Sequence, residues 1–370
     1  MRNLFLMMLL SIPMAVTAQN KRIDFKQINL QQAMEVAKSS HKIIFVDGYT
    51  SWCVPCKQMD ANVFTVDSVA EYFNEKLINL KIDMEKGEGP EILKRYSIGA
   101  FPSYLLLDGD GKLLYKLVGG MPAAEFMLKI KNGMKPNNEV ALMNERFDSG
   151  ERNADFLRDY VLLKVRLQEI AKAKTADSLF LATAKLHEIV RKESWVLFGE
   201  NRYAMYLSEI DSRNFNYLVK NWPAFAKENT KDSVDKKLSE VFKKIASYAL
   251  NGYTFKKHPF KKSDFEAYKK QILSTEIPNR DQYLAMMDMA IAAGERNTAA
   301  LTNLMVKNVP HFTEENLRIT WDYINFCYGN REFKYPREAK VADLVMAATK
   351  SPFLKQSCED FKKTYNADAK

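Results

Sequence analysis

Two cysteines carry the most reactive chemistry in this 370-residue chain. Cys53 and Cys56 stand in Trp52-Cys53-Val54-Pro55-Cys56, close enough to form a disulfide, reopen it and so carry two electrons. The run before them, Ile43-Ile44-Phe45-Val46, is apolar and β-branched and predicts a buried strand; Lys57 to Phe64 has a helix-compatible composition. Cys53 therefore falls at a strand-to-helix junction. Free backbone N–H groups and the helix dipole at such a junction favour a thiolate.

A C-x-x-C pair can also be half of a zinc site or a structural disulfide. A structural zinc takes four ligands, usually from a second close pair. The other cysteines, Cys327 and Cys358, sit far apart on apolar stripes, and His41, the nearest of four histidines in sequence, precedes the strand. No metal is expected. A structural disulfide across two residues closes too small a loop to restrict the unfolded chain much. A redox pair is the reading that remains, needing no cofactor beyond the Cys53–Cys56 disulfide. Cys327 and Cys358 can either join in a disulfide between helices or stay as buried thiols.

Around this pair the pattern predicts a helix at about 29–39, strand 43–49, a broken helix 54–75, strand 77–83, helix 90–96, strands 103–108 and 112–118, and helix 122–132. Asp108-Gly109-Asp110-Gly111 is a hairpin turn between the last two strands. Strands alternating with helices imply a parallel pair made by crossover, finished here by the hairpin.

Nine of the 14 glycines precede Pro136; Gly150, Gly199, Gly252, Gly294 and Gly329 are scattered through the rest. Beyond Asn137 the apolar period is helical. It runs through Phe156, Tyr160, Leu163, Leu167 and Ile170, then Leu179, Thr183, Leu186 and Val190, then Val234, Leu238, Val241 and Ile245. Leu317, Trp321, Ile324 and Cys327 repeat it, as do Leu354, Cys358, Phe361 and Tyr365. The expected division is a segment 1–18, an α/β domain 19–136 and an all-helical domain 137–370 of stacked helices, with glycines near helix ends as in a helical-repeat array.

Residues 1–18 have the form of a secretory signal peptide: Arg2, the apolar run Leu4 to Ala15, and small residues with cleavage expected after Ala18. The expectation is an exported, periplasmic protein with no stable membrane insertion. The formal charge of +9 is spread thinly, with 16 basic against 14 acidic residues over 19–136 and 38 against 32 over 137–370. Its densest cluster, Lys256, Lys257, Lys261, Lys262, Lys269 and Lys270 around His258, reads as a solvated surface. Export and this spread argue against a nucleic-acid partner.

The motif Trp52-Cys53-Val54-Pro55-Cys56-Lys57 resembles the active-site signature of the thioredoxin superfamily. Asp47, six residues before Cys53, stands at the place of that family's buried aspartate. Phe101-Pro102-Ser103 resembles its cis-proline loop, and Val118-Gly119-Gly120 the glycine that opens its substrate groove. Order and spacing match over roughly residues 25–134, most closely to exported thiol:disulfide interchange domains. No comparable resemblance covers 137–370.

The resemblance implies an α/β thioredoxin-like fold and a set of roles. Cys53, at the helix start and the more exposed, is the attacking thiolate, and Cys56 resolves the mixed disulfide. Pro55 fixes the backbone between them. Asp47, among apolar strand residues, has a raised pKa and accepts the Cys56 proton. Trp52 shields the disulfide; Phe101, Pro102 and Gly119 bind an extended substrate. Many members carry a lysine facing the aspartate. Alignment puts Asn79 there, with Lys81 two residues on and so on the same strand face. In this family a histidine between the cysteines marks strong oxidants and isomerases; the Val54-Pro55 linker has none, so the resemblance implies a reducing pair.

These readings converge on an exported thiol:disulfide oxidoreductase, acting as a reductase on disulfide-bearing exported proteins and fed by a membrane thiol donor. Two alternatives stand beside it: a helical-repeat binding module with a redox switch, and a disulfide isomerase or folding factor.

Overall fold

The computed structural model describes residues 21–199, 203–257, 259–329 and 337–368. The expected signal segment 1–18 and His258 lie outside them. By compactness the chain divides into two units, residues up to 151 together with 159–173, and residues 152–158 together with 174 onward.

The first unit opens with helix α1 (Leu30–Ser40), started by a capping box in which Asn29 and Gln32 each accept from the other's backbone N–H. There follow β1 (Ile43–Tyr49), α2 (Val54–Asn62), α3 (Asp67–Lys76), β2 (Leu77–Asp83), α4 (Gly89–Arg95), β3 (Ser103–Leu107), β4 (Leu113–Val118) and α5 (Ala123–Gly133). The predicted break in the 54–75 helix falls at Val63-Phe64-Thr65-Val66. That stretch is rich in β-branched residues, and it buries Val63 and Phe64 in the core.

The sheet order is β2-β1-β3-β4, with β1 and β2 parallel and the other two pairs antiparallel. Alternation along β1 separates two cores. Ile44 and Val46 face α1 and α4, in a cluster with Leu30, Ala33, Ile92 and Leu105. Phe45 faces α2, α3 and α5, in a cluster with Met59, Phe73, Tyr104 and Phe126. Phe45 meets Phe73 edge-on at 4.7 Å between ring centroids. Asp47 lies two residues beyond Phe45 and so shares its face, on the side of the helix that begins at the cysteines. The hairpin turn forms as expected: the Asp108 carboxylate accepts from the N–H groups of Asp110 and Lys112, and Gly111 takes a φ of +75°.

The first unit continues beyond Pro136 through α6 (Glu139–Asp148), the later part of α7 (Ala154–Arg166) and the start of α8 (Ile170–Thr183). Val140, Leu163 and Leu167 form a small core there against Tyr115 of β4. A buried charge cluster reinforces it. Lys116 of β4 is fully buried, donates to the carbonyls of Tyr96 and Ser97, and lies 3.9 Å from Glu169. Glu169 also pairs with buried Lys164 at 3.0 Å. Burial pushes the Lys116 ammonium down to about 8, against the pull of Glu169. Glu169→Gln should take the paired carboxylate from two buried lysines and cost about 3–5 kcal/mol at pH 7. The loss, read from urea midpoints, should shrink near pH 9.5, where Lys116 is already neutral in the folded state.

The second unit is helical in its described parts. The helix Lys231–Leu250 buries Val234, Leu238, Val241 and Ile245 as their spacing predicts, and packs on helices Trp222–Asn229 and Arg280–Gly294. The stripe Leu179, Thr183, Leu186, Val190 is not a packing face. Helix α8 ends at Thr183 and buries Ala173, Ala176 and Phe180 instead, while Leu186 is 46% exposed. The chain leaves the helix between Thr183 and Leu186, so the phase set before the break does not carry past it. Cys327 and Cys358 are free and buried, each thiol pushed up in pKa by desolvation, to about 12 and about 11. Of the basic cluster, Lys262 pairs with Glu295 and Lys269 with Asp288. Among the described residues no helix is long and apolar enough to cross a membrane, and no three acidic, histidine or cysteine side chains could hold a metal together.

Candidate active site

Cys53 is the N-cap of α2, with Pro55 in the first turn. Its sulfur accepts the N–H of Cys56 at 3.1 Å, and the two are joined as a disulfide. Exposure does not distinguish them: Cys53 is 2% and Cys56 3% accessible. The expectation that Cys53 is the more exposed therefore fails in the disulfide form. The N-cap position is what sets Cys53 apart, because a thiolate there receives the free N–H groups of the first turn.

Asp47 lies on β1 with Lys81 as its register partner on β2 and Tyr104 as its register partner on β3. The Lys81 ammonium is 3.2 Å from the Asp47 carboxylate and also pairs with Asp60 of α2. Lys81, rather than the aligned Asn79, faces the aspartate; Asn79 sits opposite Phe45 and donates to the Phe73 carbonyl. Rings of Tyr49, Phe25 and Phe64 surround the Lys81 ammonium at 4.9, 5.5 and 5.8 Å. Burial pushes the Asp47 carboxyl up to about 7; Lys81 opposes this shift and the Asp60 charge adds to it.

The remaining motif residues gather at the same end of the sheet. The Phe101–Pro102 bond is cis, and the Pro102 carbonyl accepts the Gly119 N–H at 2.9 Å. Gly119 has a φ of +99°, and Gly120 approaches Pro55. Pro55, Gln58, Met59, Gly120, Met121 and Pro122 line a groove of about 680 Å³. Trp52 is 62% exposed; its indole N–H donates to Glu85 at 3.0 Å and its ring meets Phe101 edge-on at 6.0 Å. Gly119→Ala should cost about 1 kcal/mol through backbone strain alone, since no atom crowds the new methyl. A urea titration checks it.

Three residues at this site escape sequence reasoning. Asp60 had a usable signal: it follows Cys56 by four residues, one helical turn on the same face. Tyr104 needed the β1/β3 register, and Glu85 the packing of a loop.

Comparison with known proteins agrees with this geometry. Residues 30–133 match the family described as thioredoxin-like domain. The chain is 33% identical over 101 residues to the chloroplastic thioredoxin Y2 of Arabidopsis thaliana, covering 27% of this chain and 57% of that protein. It is 31% identical over 117 residues to the thiol:disulfide interchange protein DsbD of Pseudomonas fluorescens, covering 30% of this chain and 20% of that protein. The chain thus spans little more than half the length of the first of these curated relatives and a fifth of the second. Among solved structures, a candidate disulphide isomerase from Bacteroides thetaiotaomicron is 40% identical, with a TM-score of 0.31 over 33% of this chain and 100% of that one. With its sheet order, its disulfide at the start of α2 and the family match, the segment 30–133 is a thioredoxin-like domain.

Proposed function

We propose that the protein is an exported thiol:disulfide oxidoreductase that reduces disulfides in other exported proteins. The observation that carries this reading is a disulfide at a helix N-terminus on the same side of the sheet as a buried carboxylate with a pKa near neutrality. In the reduced protein the Cys53 thiolate attacks one sulfur of a substrate disulfide. That bond breaks, a mixed disulfide forms on Cys53, and the departing substrate thiolate takes a proton from solvent. Asp47 accepts the Cys56 proton, and the Cys56 thiolate attacks the Cys53 sulfur. The Cys53–Cys56 disulfide forms, the second substrate thiolate leaves and is protonated, and two electrons have passed to the substrate. Regeneration requires a dithiol donor, which we place at a membrane thiol carrier.

The linker supports the reductive direction. Strong oxidants of this chemistry stabilise their reduced form; Val54 and Pro55 bring no cation to hold the Cys53 thiolate. Arg2 followed by the apolar run Leu4 to Ala15 supports export. The helical unit is proposed to select or hold the protein partner. Cys56→Ser should arrest the cycle at the mixed disulfide, so trapped partners should be exported proteins together with a membrane thiol donor. Capture of none in cells refutes the reading. Faster oxidation of reduced, unfolded substrates than reduction of insulin-type disulfides refutes its direction.

A further inference from the structure

Tyr104 of β3 carries a buried hydroxyl. The residue is 1% exposed, and among the described residues its hydroxyl makes no hydrogen bond. A buried hydroxyl left unpaired costs about 1–3 kcal/mol, and protein interiors nearly always supply a partner, often an enclosed water. Packing asks only for the ring at this position. It stacks on Phe45 at 5.9 Å and meets Phe126 at 5.0 Å and Phe64 at 6.2 Å, all phenylalanines.

What the hydroxyl serves follows from register. Tyr104 is directly opposite Asp47 in the β1/β3 pair, so the two side chains rise from the same face of adjoining strands. Lys81 occupies the matching position on the other flank of Asp47. Burial and the nearby Asp47 and Asp60 carboxylates all raise the Tyr104 pKa, so its hydroxyl stays protonated and available as a donor throughout the working range. We propose that Tyr104 is a positioning residue for the redox pair: its hydroxyl donates, through one enclosed water, to the Asp47 carboxylate and holds it in the orientation that takes the Cys56 proton. This rests on the reading of Asp47 as the proton acceptor given above.

The test uses the reduced full-length chain labelled with carboxyl-¹³C aspartate, following the Asp47 signal with pH by NMR. Removing the donor in Tyr104→Phe should raise the Asp47 midpoint by about half to one pH unit, because a hydrogen bond to a carboxylate favours its charged form. Resolution of the mixed disulfide below the midpoint should slow three- to tenfold, with the Cys53 attack unchanged. Incorporating 3-fluorotyrosine at position 104 keeps the ring, strengthens the donor and should move the midpoint down. A midpoint unmoved by either change, or displaced in the reverse sense, overturns the proposal. The titration needs no substrate, so it tests Tyr104 even in a protein that fails to reduce exported disulfides. An active enzyme with an unmoved midpoint refutes Tyr104 alone.

Discussion

Cys53→Ser should reduce disulfide turnover to the uncatalysed background, whereas Cys56→Ser should complete one attack and stop. The asymmetry comes from the helix rather than from accessibility, since both sulfurs are equally buried in the disulfide form. Only Cys53 occupies the N-cap, where its sulfur already accepts the Cys56 N–H and a negative charge faces the positive end of the helix dipole. Serine at position 53 keeps the cap, because a hydroxyl accepts the same N–H bond, so the fold should survive while the nucleophile is lost. Turnover is read as insulin reduction with dithiothreitol as donor; the trap is read by non-reducing mass spectrometry after each variant is reduced, freed of dithiothreitol and mixed with insulin. Cys56→Ser should carry one equivalent of disulfide-linked substrate and Cys53→Ser none. A trap that forms on Cys56 instead would mean that the N-cap does not select the nucleophile.

Asp47→Asn should make the protein both more stable and slower above neutral pH. The folded-state pKa of about 7 lies above the value near 3.9 expected for an unfolded aspartate. A group raised in this way gives its full stabilisation below about pH 4 and loses it as the pH climbs through 7. Ionised Asp47 therefore burdens the native state at pH 8, by up to about 4 kcal/mol for a shift of this size. Asparagine removes that burden. Lys81 keeps Asp60 as a partner, so its charge is not stranded. The expected gain is about 2–4 kcal/mol in urea unfolding at pH 8, falling towards zero near pH 4. Turnover should drop on the order of 100-fold, because the Cys56 proton loses its acceptor. A variant destabilised at pH 8, or one with full turnover, would contradict the assigned role.

Short-range pattern made most of the site legible. Cys53, Cys56 and Pro55 lie within one turn, and Asp47 sits on a strand whose apolar run marks it as buried. The turn Asp108 to Gly111 pinned β3 and β4, and with them Pro102 and Gly119. Features that depend on register or on distant packing were hidden. Lys81 was legible only as a side chain on the same strand face as Asn79; its alignment with Asp47 needed the parallel β1/β2 register. Tyr104 reads in sequence as one more strand aromatic. Glu169 is 53 positions from Lys116, and no local pattern announces that the short link between α7 and α8 supplies the counter-charge for an edge strand. The 179–190 stripe failed for a related reason. Its apolar spacing runs on unchanged past Thr183, where α8 ends, so the period alone does not mark the break.

As a reducing pair, Cys53 and Cys56 must hold a low reduction potential. The direct measurement is the equilibrium of the full chain with graded ratios of reduced and oxidised glutathione, with the Cys53–Cys56 dithiol quantified by alkylation. A potential below about −200 mV, among the reductants of this chemistry, is the expected result. A value near −120 mV, where the strong oxidants lie, would contradict it.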